Sequence, residues 1–188
     1  MKGPLSFLHP FLSFVNLNTG AILDCFDICY TLTGMLKLHL IAHNIRSAEN
    51  VGSLFRTADA LGAAKIWIAG YSPGPEHVKV QKTALGAEKS VAWEREEDAK
   101  KLFDILRAEG FRMVGLELDP RAVRLDVYQP SADKVALVLG NEVDGIPPWV
   151  RDMCDDLIFI PQHGIKESLN VSVAAAIASY SILVNSTH

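Results

Sequence analysis

The sequence predicts an α/β domain built on a mostly parallel sheet flanked by helices, and three observations predict it. Short apolar runs alternate with amphipathic stretches from residue 35 onward. The run Val135-Ala136-Leu137-Val138-Leu139 is apolar at every position, as a strand covered on both faces requires. Glycines at 62, 86 and 110 fall just after helical patterns, where a left-handed cap is wanted. With 188 residues, 49% of them hydrophobic and 21% charged, the chain has the composition of a soluble globular domain with a sizeable core. A net charge of −4 gives no general attraction to polyanions, so any nucleic-acid contact has to be a local patch.

The elements follow in order. Residues 1–34 stand apart, with no Asp, Glu, Lys or Arg between Lys2 and Asp24. His9 and Pro10 interrupt their apolar stretch, and Asn16, Asn18, Thr19 and Gly20 make it a poor membrane span. They are expected to be an extension of unknown role: poorly packed, or an accessory element docked on the core, or a targeting signal. Met35 opens the patterned part of the chain and is a candidate start. A strand is expected over 36–42, and a helix over 47–61 from the spacing of Val51, Leu54, Phe55, Ala58 and Leu61. A strand over 64–69 precedes a short helix over 77–85 and an amphipathic helix over 96–109. Strands over 112–118 and 135–139 come next, then a proline-led helix over 147–153 and a last strand over 157–160. The final helix begins after the loop 161–167, with Ser168 as the expected cap. Its residues Leu169, Val171, Val173 and Ala174 to Ala178 leave almost no polar side, so it is expected to be buried.

In a parallel sheet, chemistry gathers at the carboxyl ends of strands. The candidate groups therefore lie after residues 42, 118, 139 and 160. Asn50 and Arg56 lie in the first of these regions, read either as a capping residue and an Arg paired with Asp59, or as ligand groups. Gly52 costs stability in a first helical turn unless something approaches it closely. Gly140-Asn141-Glu142-Val143-Asp144-Gly145 turns the backbone sharply after a buried strand. Glu142 is either an acid suited to a helix N-terminus or a site group. No triphosphate loop, dinucleotide fingerprint or hydrolase elbow occurs. Six scattered histidines, among them His39 and His43 on one strand, supply no third ligand, so no metal is expected. Three cysteines make neither a disulfide framework nor a zinc pattern and are read as reduced thiols of a cytoplasmic protein without membrane attachment.

Taken together, residues 44–62, 136–147 and 160–177 resemble the three motifs of the SpoU/TrmH family of the SPOUT superfamily, the S-adenosylmethionine-dependent RNA 2′-O-ribose methyltransferases. Each motif alone is weak; all three in order are specific. The resemblance covers nearly half of residues 35–188 and says nothing about 1–34. It implies a domain over 35–188 whose C-terminal part is tied in a deep trefoil knot, contrary to the general avoidance of threading. It also implies a homodimer with the pocket near the subunit interface, for which the small residues of the last helix are suited. The S-adenosyl-L-methionine pocket is then expected among Leu116, Glu117, Leu139, Gly140, Ile160, Ser168 and Leu169.

The same resemblance implies catalytic roles for Asn50, Arg56, Glu142, Ser168 and Asn170. Arginine is too weak an acid to act as a literal base. Arg56 is therefore expected to anchor phosphate and stabilise alkoxide charge, with Glu142 positioning Arg56 or Asn50, within one chain or across the dimer. RNA contact is expected from Arg46, Lys79, Lys82 and Lys89 with His77, although a merely solvated face is an equal reading. The RNA is expected to be tRNA or else rRNA. A knotted RNA-binding or assembly protein without turnover is the alternative.

Overall fold

The structure, a computed structural model, describes residues 36–165 and 168–186, together with 14–15 and 22–23. The chain divides into two units, Met1–Gly34 and Met35–His188. In the first, β1 (Phe14–Val15) pairs antiparallel with β2 (Ile22–Leu23). The expected packing of the extension, and Cys25 and Cys29, lie outside the described residues.

The second unit carries β3 (Lys37–His43), α1 (Ala48–Leu61), β4 (Lys65–Ala69), α2 (Val78–Ala84), α3 (Ala87–Ser90) and β5 (Trp93–Glu96). There follow α4 (Ala99–Ala108), β6 (Arg112–Leu116), β7 (Val123–Arg124) with a 3-10 turn Leu125–Val127, and β8 (Lys134–Leu139). The chain closes with α5 (Pro148–Arg151), β9 (Asp156–Phe159) and α6 (Val171–Asn185). Seven strands form one sheet in the order β5-β4-β3-β8-β6-β9-β7, and every pairing in it is parallel.

The two-residue period of the strands sorts the core into two layers. Leu38 and Leu40 of β3 and Val135, Leu137 and Leu139 of β8 face α1 and α6, where Leu54, Phe55, Ala175 and Ile182 are buried. Ile41 of β3 and Ala136 and Val138 of β8 face α4 and α5, where Leu102, Phe103, Leu106 and Val150 are buried. His39 belongs to this second layer. It stacks on Phe111 at 4.1 Å, and its Nδ1 accepts from Trp67 Nε1 at 3.2 Å. Burial, reinforced by Lys37, Lys65 and Lys134, lowers its pKa to about 4, so it is a neutral packing group at physiological pH.

Ser47 caps α1 by accepting from Asn50 N, and Gly62 ends the helix at φ 68°. Gly52 has its reason in α2: a Cβ there would lie 2.6 Å from Val80 O and 2.7 Å from Thr83 Cβ. Several expectations are corrected. The helix expected from 96 starts at Ala99, because Asp98 caps it through Lys100 N and Lys101 N. The residues before it instead extend the sheet as β5, pairing with β4 from Trp93 to Glu96. β6 stops at Leu116, and β7 was not foreseen. Asn170, not Ser168, caps the last helix, accepting from Ser172 N at 2.9 Å. That helix is not buried all round: Ala175, Ala178, Ser179, Ile182 and Leu183 pack inward, while Val173, Ile177, Tyr180 and Val184 are 41–62% exposed.

Candidate active site

A cavity of about 1000 Å³ opens at the carboxyl ends of β6, β8 and β9 and at the start of α6. Leu116, Glu117, Leu139, Gly140, Ile160, Ser168 and Leu169 all line it, as do Glu142 and Asn170. Among the described residues, no lysine or arginine does.

The loop after β8 is shaped by its own backbone. Asn141 N donates to Gly145 O at 3.1 Å, and Gly145 N returns the bond to Asn141 O at 2.9 Å. Asn141 Oδ1 accepts from Val143 N at 2.7 Å and from Asp144 N at 3.2 Å, an Asx-type turn. Gly140 has no room for a side chain, since a Cβ would collide with Gly145 and with Ile146 N. The glycine is thus demanded by the loop itself, before any ligand. Glu117 braces the same loop, accepting from Ile146 N at 2.7 Å and from Leu118 N at 3.0 Å.

This loop aims Glu142 at the N-terminus of α1. Its carboxylate accepts from Arg46 N at 2.9 Å, Ser47 N at 3.0 Å and Asn50 Nδ2 at 2.7 Å. They are the backbone donors of the N-cap and of the residue before it, plus one side-chain amide. Partial burial raises the Glu142 carboxyl, but the bonds from Arg46, Asn50 and Ser47 outweigh it and hold the group below the ordinary carboxylate range. Asn50 Oδ1 in turn accepts from Asn170 Nδ2 at 3.0 Å, and Asn170 Oδ1 accepts from Ser172 Oγ at 2.7 Å. A single hydrogen-bonded line, Glu142 to Asn50 to Asn170 to Ser172, therefore joins all three sequence motifs. Asn50 is fixed at both ends of its amide, so its flip state is dictated by its partners.

The structure brings together Glu142, Asn50 and Asn170 and puts Ser168 at the cavity, but it leaves Arg56 apart. Arg56 is exposed on α1 and does not line the cavity. The ion pair with Asp59 considered from sequence is not formed: Asp59 accepts from Ser90 Oγ at 2.6 Å. Within this chain the Glu142 carboxylate is bonded to Asn50. Of the expected RNA-contacting cations, Arg46, Lys82 and Lys89 are exposed, and Lys79 sits 3.3 Å from Glu49. His77 caps α2 by accepting from Lys79 N. Cys154 is a free thiol, pushed up to about 12 by burial, and acts as an unreactive packing group.

Sequence reasoning missed Asn141 and Asn44. Asn141 Nδ2 reaches Asn44 O at 3.0 Å and the Tyr71 hydroxyl at 2.7 Å, tying the β8 loop to the ends of β3 and β4. Asn44 sits in the left-handed region at φ 57°. An asparagine directly after a buried strand, where that conformation is tolerated, was the available signal.

A model of the SpoU rRNA methylase family matches residues 37–180. The chain is 34% identical over 144 residues to the 23S rRNA (guanosine-2′-O-)-methyltransferase RlmB of Vibrio vulnificus, covering 76% of this chain and 57% of that protein. It is 26% identical to the tRNA (guanosine(18)-2′-O)-methyltransferase of Borreliella burgdorferi, covering 78% of this chain and 66% of the relative. The crystal structure of an AdoMet-bound rRNA methyltransferase from Sinorhizobium meliloti superposes with a TM-score of 0.73 at 25% identity, covering 80% of this chain and 58% of that one. The chain thus spans between 57% and 66% of the length of these relatives. No helix among the described residues is long and apolar enough to cross a membrane.

Proposed function

The chain belongs to the SpoU rRNA methylase family, and from that premise we propose that it transfers a methyl group from S-adenosylmethionine to a ribose 2′-hydroxyl of RNA. The observation that carries this reading is the line Glu142–Asn50–Asn170 at the edge of a cavity large enough for a nucleoside ligand. The lining fits that ligand: apolar strand ends suit an adenine, and carboxylates at Glu117 and Glu142, without a lysine or arginine among the described lining, suit a sulfonium cation. When bound, the cofactor supplies an electrophilic methyl carbon. To accept that methyl group, the 2′-hydroxyl would give up its proton to a phosphate or a water.

The residues of this chain orient and stabilise. The amide of Asn50, locked by Glu142 and Asn170, positions the ribose at the start of α1, with the Ser168 hydroxyl beside it. Arg56, unpaired among the described residues, is free to meet the neighbouring phosphate and the developing alkoxide. Arg46, Lys82 and Lys89 offer charge to the backbone. We place the activity in residues 35–188, with 1–34 an added segment, and include the C-terminal trefoil knot in the proposal.

Calorimetry with S-adenosylmethionine, followed by labelled methyl transfer to separated tRNA and rRNA fractions and nucleoside analysis of the products, tests the reading. Micromolar binding and a 2′-O-methyl nucleoside are expected, and the fraction labelled decides between the two RNA classes. No binding at millimolar ligand overturns the pocket. Binding without transfer to either fraction favours a knotted RNA-binding protein without turnover.

We further propose a homodimer formed through the outer face of α6. Its exposed Ile177 and Tyr180 border a largely apolar groove of about 520 Å³ with Leu125, Ile160 and Pro161. Of the small residues expected from sequence to face the partner, Ala175 and Ser179 are buried in the chain's own core, whereas Ala176 borders this groove. Ile177→Asp is expected to shift the sedimentation coefficient from dimer to monomer without unfolding the chain, because it desolvates a charge only in the dimer. A wild type that sediments as a monomer at all concentrations would remove this interface.

A further inference from the structure

We propose that Tyr71 and Trp149 form a stacking platform for an unpaired base of the RNA flanking the methylated nucleotide. The proposal rests on the reading of the chain as an RNA-modifying enzyme. Neither ring lines the cavity, and neither is claimed by the sequence motifs as a site residue. Both are exposed, Tyr71 at 61% and Trp149 at 45%, whereas Trp67 is 4% exposed in the core. Tyr71 is bonded to Asn141 of the loop that carries Glu142, and Trp149 packs on His43 at the end of β3.

Both rings are held rather than loose. Tyr71 N donates to Asn44 Oδ1 at 3.2 Å, and the Tyr71 hydroxyl accepts from Asn141 Nδ2 at 2.7 Å. Trp149 stands edge-on to His43, with ring centroids 6.1 Å apart and an angle of 82°. Pro147 and Pro148, just before it, restrict the backbone that carries it. His43 and Asn44 are consecutive, so one turn at the end of β3 anchors both aromatics. Asn141 is the neighbour of Glu142, which holds Asn50. The Tyr71 ring is thus mechanically linked to the groups proposed to orient the ribose.

The chemistry of the surface selects the partner. A flat ring fixed in advance loses little entropy on stacking, and every nucleobase offers a π face. Lys100 Nζ lies over one face of the Trp149 ring, 5.8 Å from its centroid, so a cation already stands beside the ring and a base would take the other face or displace the lysine toward its own phosphate. Arg46, two residues beyond Asn44, is a second exposed cation in the same turn. Single-stranded RNA, with bases free to splay out, is the ligand class that uses rings and cations together.

The test titrates full-length protein with a short oligoadenylate and follows tryptophan emission. Quenching is expected in the wild type and is expected to be largely lost in Trp149→Phe, although that variant still binds. Trp149→Ala and Tyr71→Ala should each weaken binding on the order of tenfold. Trp149→Phe and Tyr71→Phe, which keep the rings, should bind within about threefold of wild type, so poor folding of an alanine variant does not spoil the test. Absence of binding or quenching in the wild type overturns the proposal, as does unchanged affinity in both alanine variants. A changed sedimentation coefficient in Trp149→Ala with unchanged RNA affinity also overturns it, assigning the ring to a protein contact. Methyl transfer with wild-type KM in the double alanine variant sinks the platform and spares the transferase reading. Oligoadenylate stacking with no methyl transfer does the reverse.

Discussion

Arg56→Ala is expected to slow methyl transfer to RNA on the order of 10²–10³-fold, the usual loss for one donor aimed at developing charge. Cofactor affinity should stay within about twofold, because Arg56 lies outside the cavity lining. Stability should barely move. Arg56 is exposed, and Asp59, the nearest candidate for an ion pair, is engaged by Ser90. Surface substitutions away from such features are usually worth less than about 0.5 kcal/mol. Arg56→Lys separates two roles. It keeps the charge and loses the planar fork, so partial activity means that a point charge suffices, and very little activity means that two-pronged contact is required. Single-turnover transfer across pH, with cofactor binding measured separately, decides. A near-wild-type rate in Arg56→Ala would remove this residue from the mechanism.

Glu142→Gln is expected to lower the same rate by about 10²-fold, through misplacement of Asn50 rather than loss of a reacting group. Two backbone donors and the Asn50 amide converge on the carboxylate. A glutamine keeps one acceptor oxygen and turns an N–H₂ toward groups that are themselves donors. Hydrogen bonds to a charged acceptor are worth about 1.5–3 kcal/mol when sheltered. Glu142 is exposed, so the stability cost should fall toward or below the lower end. The pH dependence has a definite sign. The folded carboxyl is held below its ordinary range, so its contribution is present above the unfolded pKa of roughly 4.3 and is lost as pH falls through the folded value. The acid limb of the wild-type stability curve below about pH 4.3 should flatten in Glu142→Gln. A double-mutant cycle with Asn50→Ala reads the coupling directly. Additive losses in rate would show that Glu142 does not act through Asn50.

Much of this site was legible in the chain because its parts announce themselves locally. The apolar run 135–139 dictates a doubly covered strand, and the glycines at 140 and 145 dictate a sharp turn after it. The helical spacing of Val51, Leu54, Phe55 and Ala58 dictates α1. These are near-neighbour constraints of backbone sterics and burial period, and one strand of text carries them. Where local signals were shared between two outcomes, only the folded chain chose. Asp98 ended a helix that the amphipathic pattern ran back to 96, and the freed residues found an edge of the sheet. Asn170 took the capping role expected of Ser168, its Oδ1 accepting from Ser172 N while its Nδ2 donates to Asn50.

The partners of Glu142 were decided by tertiary structure alone. The residue lies 92 positions from Asn50, and Asn50 lies 120 from Asn170. No propensity or period couples groups at such separations; parallel pairing of β3 with β8 and packing of α1 beside α6 bring them within hydrogen-bonding distance. The same holds for α6. Its composition says that it is apolar everywhere, but which face is covered depends on what the sheet and α1 leave room for: Ala175, Ala178 and Ser179 go inward, and Ile177 and Tyr180 remain exposed. Sequence by itself determined the elements and the residue types at the strand ends, since these follow from short-range sterics and hydration. Which of those residues meet was decided by the order of strands in the sheet, a property of the whole chain.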